Sequence, residues 1–515
     1  MRDPEAKPSS EKPATKLSAV DDAGLMRLAT MIVLALVALR LAFAAVMPLA
    51  ADEAYYWLWS KHLAGGYYDH PPAVAFVIRA GTFLAGDSEL GVRLVSILLA
   101  LPMTWAVFRA GEILYNRRIG AWAAIFLNLT LMVAVGTLIV TPDAPLMVAS
   151  AFVLLFLAKV LASGDGRWWL AVGLAVGLSL LSKYTALFFG LSILLWLALV
   201  PDLRRWFLSP WPYLGGFAAF AVFAPVIVWN AGHEWISLIK QLGRARGDEL
   251  TWRYLIEVVP VQCALATPPV FLLGASGLIA MAYGQGGTRP ARVLLGAMIW
   301  PLFAYFLWHS LHARVEGNWF GPVYPAFAIA AAVALEEVEW HGAMRSLVAV
   351  CRPLAIPFGV GIFVLAGLQG SFGLIPVHRD PTARLLGAGW RDLAGEIEAA
   401  RMRLGARCVI VNNYGLASWL AFYLPQAPVA QFNERARWIN MPEPPRALFA
   451  DKVLYVGDAN IDATETLRAI YSRVEPQGQL SRRRGDVIET YRLDLAQGLK
   501  ADPLDRTPPP ELLQR

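Results

Sequence analysis

Two acids stand side by side at Asp52-Glu53, directly after the first long apolar run, in the stretch Ala51-Asp52-Glu53-Ala54-Tyr55-Tyr56-Trp57. A carboxylate in that position can take the proton of a hydroxyl nucleophile as a general base. Acids at the end of a membrane span are costly unless they face water or a partner. The flanking Tyr and Trp, Tyr55 foremost, suit a sugar-stacking face; the plainer alternative is an aromatic belt with solvated acids. The same loop continues to Gly65-Gly66-Tyr67-Tyr68-Asp69-His70-Pro71-Pro72. A further acid, Asp143, sits in Thr141-Pro142-Asp143-Ala144-Pro145, where capping of a helix start is the competing explanation.

Cations are the complement. Lys183, Lys240, Arg244, Arg246 and Arg314 fall in loops that the topology below places outside, against the positive-inside trend. Phosphate oxygens are a good reason for them, through charge-assisted hydrogen bonds. The alternatives are anionic headgroups or pairing with Asp248, Glu249 and Glu316. His309 and His312 lie three residues apart near Glu316, but no HExxH pattern accompanies them and no metal site is expected. The Asn128-Leu129-Thr130 sequon lies inside an apolar segment and is discounted.

These residues need membrane-spanning helices to hold them. Charged residues make up 16% of the 515-residue chain, and mean hydropathy is +0.49. Soluble domains carry about 25% charged residues, so this is an integral membrane protein. Three cysteines with no CxxC spacing imply no disulfide framework or zinc site. The net charge of +6 is spread over short loops, which points to membrane orientation and away from nucleic acid. Residues 1–24 read as a disordered cytoplasmic tail, and the run 25–47 as a retained span with no cleavable signal.

Apolar segments at 25–45, 91–110, 119–138, 143–163, 168–182, 184–200, 211–229, 257–283, 293–309, 318–336 and 350–373 predict about eleven transmembrane helices within 25–375. With the N-terminus inside, Arg117-Arg118, Arg167, Arg204-Arg205, Arg289 with Arg292, and Arg345 are cytoplasmic. The loops holding Asp52, Asp143, Lys183, residues 230–256 and 310–318 are then outside, the first of them running over 48–90. An odd span count puts residues 376–500 outside as well. There, a helical pattern at 390–404 and strand patterns at 408–411, 452–456 and 488–493 predict a small α/β domain, followed by a Pro-rich tail over 501–515.

Asp-Glu-Ala-Tyr-Tyr-Trp at 52–57 and Gly-Tyr-Tyr-Asp-His-Pro-Pro at 66–72 resemble the GT-C glycosyltransferases of the lipid A aminoarabinose transferase and protein O-mannosyltransferase type. Arg93-Leu94, Thr141-Pro142-Asp143, Lys183-Tyr184, Pro225 with Trp229-Asn230, Gly317-Asn318-Trp319 and Tyr324-Pro325 extend the resemblance across residues 40–330.

The resemblance implies an inverting transfer of a sugar from a polyprenyl-phosphate donor to a lipid or glycan acceptor, lipopolysaccharide core or lipid A being preferred. The setting would be the periplasmic face of a bacterial inner membrane, with the C-terminal domain periplasmic. Asp52 would match the essential acid of the first loop and Asp143 that of the second, with Glu53 or Asp143 positioning a substrate. Lys183, Tyr184, Arg244, Arg246, Asp69, His70, Tyr55, Arg314 and Asn318 would bind donor and acceptor. Asp69-His70-Pro71 stands where the aminoarabinose enzymes carry Glu-Lys-Pro, so the fixed cation is replaced by a histidine. Their metal-associated His-x-x-Arg is here Lys240-Gln241-Leu242-Gly243-Arg244, and no metal or other cofactor is carried over. A protein O-glycosyltransferase of the same superfamily is the nearest alternative. A transporter would show related halves, which are absent here, and an envelope-assembly protein would not need the acids on one face.

Overall fold

The computed structural model describes residues 21–243 and 250–505. Seven helices among them are long and apolar enough to cross a membrane: Asp22–Val46, Glu89–Leu114, Asp143–Ser163, Pro210–Ala231, Arg289–His309, Gly317–Glu336 and Gly342–Phe372. The count reaches nine if two bent pairs are each one span, Tyr184–Leu199 with Pro201–Leu208 and Arg253–Ala266 with Pro268–Ala282. The chain is a polytopic helical membrane protein.

Several of the eleven expected spans depart from single long helices for local reasons. The run at 119–138 is two helices, Arg117–Leu129 and Leu131–Gly136, because Thr130 leaves helical geometry and its hydroxyl caps the Val133 N–H at 3.3 Å. Trp168–Leu180 is a helix of only 13 residues, short of the roughly 20 that a span needs. The run at 257–283 turns by 111° at Thr267, whose φ is +64°. Pro268 follows it, and proline disfavours helical backbone in the residue before it. Ala73–Ala85 is an apolar helix inside the expected first loop. The first helix starts at Asp22, with Asp21 accepting from Gly24 N–H at 2.9 Å, so it reaches into the expected tail. The remainder of that tail, residues 1–20, and residues 506–515 of the Pro-rich end lie outside the described residues.

The two ends of the bundle differ in chemistry. At one end Arg118 bonds Asp22 at 3.1 Å and Glu336 at 3.0 Å, and the Tyr115 hydroxyl donates to Gly286 O. The other end gathers Asp52, Asp143, Lys183 and His309 around one cavity. This is the segregation that the loop charges require. Asn128 is fully buried between these ends, accepting from Arg40 at 3.2 and 3.3 Å and donating to Thr104 Oγ1 at 2.7 Å.

Residues past Gly342–Phe372 fold into five strands and short helices on the cavity end. The strands are β1 (Cys408–Val411), β2 (Val429–Gln431), β3 (Val453–Asp458), β4 (Tyr471–Arg484) and β5 (Asp486–Leu499), in sheet order β2-β1-β3-β5-β4. β1 lies parallel to β2 and β3; β5 runs antiparallel to β3 and β4. β1, β3 and β5 and the helix Trp390–Leu404 stand where the sequence pattern marks them. The domain shares one core with the first loop: Tyr55, Tyr56, Trp57, Trp59 and Tyr67 pack in the same cluster as Trp390, Trp419 and Trp438. Trp419 Nε1 donates to Leu49 O at 2.8 Å, and Leu49 N–H donates to the Tyr423 hydroxyl at 3.1 Å.

Candidate active site

The helix Ala51–Lys61 begins where Glu53, its third residue, reaches back to accept from Ala50 N–H at 2.9 Å. Glu53 and Arg93 form a fully buried pair, with Nε at 2.8 Å and Nη2 at 2.6 Å. Arg93 also donates to Met47 O and Pro48 O, and Glu53 Oε1 accepts from Val140 N–H at 3.0 Å. Glu53 therefore ties the Asp52 turn to the Thr141-Pro142-Asp143 turn. Both its oxygens are spent on this, and it does not line the cavity. Glu53, expected to position a substrate, is thus placed in a buried structural pairing beside the cavity.

Asp52, one residue earlier, faces the cavity, whose volume is about 860 Å³. Its Oδ1 accepts from the Tyr414 hydroxyl at 2.9 Å. Burial pushes its carboxyl above the ordinary carboxylate range; Tyr414 opposes that shift, Asp69 adds to it and Arg437 opposes it. Burial, and then the charge of Asp52, raise the Tyr414 phenol, so it keeps its proton and remains a donor.

Asp143 opens the helix Asp143–Ser163 as its first residue, with Pro142 in the cap position, so it is not the cap. Its Oδ1 accepts from Lys183 Nζ at 2.8 Å and its Oδ2 from Asn318 Nδ2 at 2.6 Å. Lys183 Nζ lies 5.6 Å from the Trp319 ring centroid. Asp69 is held more tightly. Lys240 donates to it at 2.6 Å, Arg437 at 2.9 and 3.1 Å, and the Tyr55 hydroxyl at 3.0 Å. Burial alone would raise Asp69, but Lys240 and Arg437 outweigh it and hold the carboxyl below its ordinary range.

Asp52, Tyr55, Asp69, His70, Asp143, Lys183, Arg314 and Asn318 all line the cavity. Arg314 is largely exposed, and its Nε is 3.6 Å from Glu257, where Glu316 was one alternative partner for the outer cations. Tyr184 faces an adjoining apolar groove of about 420 Å³, where Leu187, Phe188, Leu191 and Phe306 meet Lys183, His309 and Trp319 of the main cavity. Arg244, Arg246, Asp248 and Glu249 lie outside the described residues. Lys240 takes Asp69 as its partner, where pairing with Asp248 or Glu249 was one expectation.

No group of three His, Cys, Asp or Glu side chains among the described residues is arranged to hold a metal ion. The surroundings of Asp69 do not suit one, since its partners are two side-chain cations. Tyr414 and Arg437 were missed by the sequence reading. Arg437 lies in the short turn Arg435–Trp438 of the C-terminal domain. Arg435 and Arg437 beside Trp438 are basic residues in a segment assigned to the outside, the same signal that singled out Lys183.

The profile of the family described as dolichyl-phosphate-mannose-protein mannosyltransferase matches residues 69–229. The chain is 25% identical over 453 residues to the lipid A galacturonosyltransferase RgtD of Rhizobium johnstonii, covering 86% of this chain and 92% of the relative. Two crystal structures of ArnT from Cupriavidus metallidurans share its fold. The apo structure superposes with a TM-score of 0.65 over 91% of this chain and 98% of that one. The structure bound to undecaprenyl phosphate gives 0.64 over 94% and 100%; identity is 16% in both. Over most of its length the chain is thus similar in sequence to a membrane glycosyltransferase, and its fold is that of the ArnT structures.

Proposed function

We propose that the chain moves galacturonic acid from a polyprenyl-phosphate carrier onto lipid A at the periplasmic face of the inner membrane, inverting the anomeric carbon. The observation that carries the mechanism is a contrast among Asp52, Asp69 and Asp143, the cavity carboxylates set back from solvent, Glu316 at the same cavity being exposed. Asp69 and Asp143 are each bonded to an ammonium or guanidinium group. Asp52 has a neutral hydroxyl as its side-chain hydrogen-bond partner among the described residues. A carboxylate with raised proton affinity and an open face toward a cavity is suited to take a proton.

In the proposed step the acceptor hydroxyl oxygen bonds to the anomeric carbon while the bond from that carbon to the phosphate oxygen breaks. The hydroxyl proton goes to Asp52, and the carrier leaves as its phosphate anion. That leaving group needs charge stabilisation more than an acid. Lys183 is the assigned cation, because it stands where the polar cavity meets the apolar groove. Phe188, Leu191 and Phe306 offer the carrier's hydrocarbon an apolar surface. The loop charges support the periplasmic side. The lipid-linked donor and lipid A acceptor are supported by what the ArnT structure binds and by the relative's name. The sugar is supported by the same name and by Arg314 and Arg437 on the cavity wall, since guanidinium pairs well with a carboxylate.

Mass spectrometry of lipid A from a deletion strain tests this reading. Loss of a galacturonic acid residue, restored by wild type and not by Asp52→Asn, is the expected result. Unchanged lipid A with an altered glycoprotein would instead make the acceptor a protein.

A further inference from the structure

Asp52 has carboxylate neighbours on two sides. Glu53 is on its own helix and Asp69 on the facing loop, while Tyr56 lies one turn along. Arg93 neutralises Glu53, and Lys240 with Arg437 neutralises Asp69. Two of the groups that favour an ionised Asp52 come from more than 350 residues away in the chain. Tyr414 opens the helix Tyr414–Tyr423, whose start is fixed by the Asn413 side chain accepting from Leu416 N–H at 3.1 Å. Arg437 lies with its guanidinium carbon 4.3 Å from the Tyr414 ring centroid, its Nη1 on Asp69 and its Nε on Glu434 at 3.1 Å. The turn that presents it is anchored to the first loop from both sides. The Tyr55 hydroxyl proton, directed to Asp69, is shared with Arg437 O at 3.2 Å, and Asn440 Nδ2 donates to Gly66 O at 2.8 Å.

We infer that Tyr414 and Arg437 are positioning residues of the active site, through which the C-terminal domain keeps Asp52 ionised and aimed at the acceptor. The inference rests on Asp52 being the base. The domain is then a part of the catalytic unit, and an undocked domain leaves a base that protonates at higher pH. A purely mechanical latch would behave differently. Its loss would lower the rate by one factor at every pH, whereas loss of these two groups moves the pH at which the base is protonated.

The test is the pH profile of kcat/KM for the purified full chain, with undecaprenyl-phosphate-linked galacturonic acid and lipid A as substrates. Tyr414→Phe keeps the ring and removes only the hydroxyl; Arg437→Gln removes the charge. Each is expected to move the acid limb up by about one pH unit, a tenfold loss well below that limb that disappears above it. Arg437→Lys is expected to restore most of the shift. Acid limbs that stay where the wild type has them overturn the inference, and Tyr414→Phe alone decides it if Arg437→Gln does not fold. Asp52→Asn runs beside them. An active Asp52→Asn would remove the base assignment itself, whereas an inactive one with unmoved limbs elsewhere removes only this inference.

Discussion

Asp52 and Glu53 are adjacent, of like charge, and on the same first turn, yet their surroundings give them opposite tasks. Glu53 is sealed with Arg93, and breaking such a buried pair by removing one partner costs about 3–5 kcal/mol. Glu53→Ala should therefore lower the melting temperature in detergent and the yield of folded protein. Asp52→Asn should leave melting unchanged and reduce turnover by about 10²–10⁴-fold, the range for general-base assistance. The sequence could not separate the two acids, because the difference lies in Arg93 and Val140 N–H, which reach Glu53 from 40 and 87 positions away. It did bring Asp52, Asp69, Asp143 and Lys183 to one face, since alternating loop charge is a property of the chain itself. The pH dependence follows from the same surroundings. Burial raises Asp52, so activity is lost as pH falls through a value above the ordinary carboxylate range. Asp69 has the opposite sign. Its carboxyl is held low, so its contribution to stability is complete above its unfolded value and lost only as pH falls through the lower folded one. Between those two acidities the protein should be folded but slow, which parallel activity and melting curves would show.

At the scale of elements, hydropathy finds apolar segments but not their bends. Thr130 breaks one expected span so that Leu131–Gly136 turns along the cavity wall, contributing Leu131, Met132, Val135 and Gly136. The signal was a single threonine with its hydroxyl on an N–H three residues on, which apolar averaging erases. Thr130→Val removes that cap at nearly constant volume. Loss of such a cap costs about 0.5–2 kcal/mol, so the variant should melt lower and raise KM for the acceptor more than it lowers kcat. An unchanged KM would show that this helix does not shape the acceptor site.

At the scale of the whole molecule, the membrane bundle and the C-terminal domain pack as one body. The first loop's aromatic residues form a core with Trp390, Trp419 and Trp438, and Arg391 bonds Glu89 at 2.7 Å across the same boundary. The sequence marked three of the domain's five strands and its helix Trp390–Leu404 but carried no sign of this contact, because each side reads as an ordinary amphipathic surface until the two are brought together. Truncation at residue 376 should therefore uncover Tyr55, Tyr56 and Trp57, and yield a bundle that aggregates in detergent and binds no acceptor. The central claim is that Asp52 takes the acceptor's proton as a sugar leaves its lipid phosphate. Its most direct test is the mass of lipid A after incubation with undecaprenyl-phosphate-linked galacturonic acid and equal amounts of folded wild-type or Asp52→Asn protein. The account expects one added galacturonic acid residue with the wild type and none at matched times with the variant; equal rates of addition would contradict it.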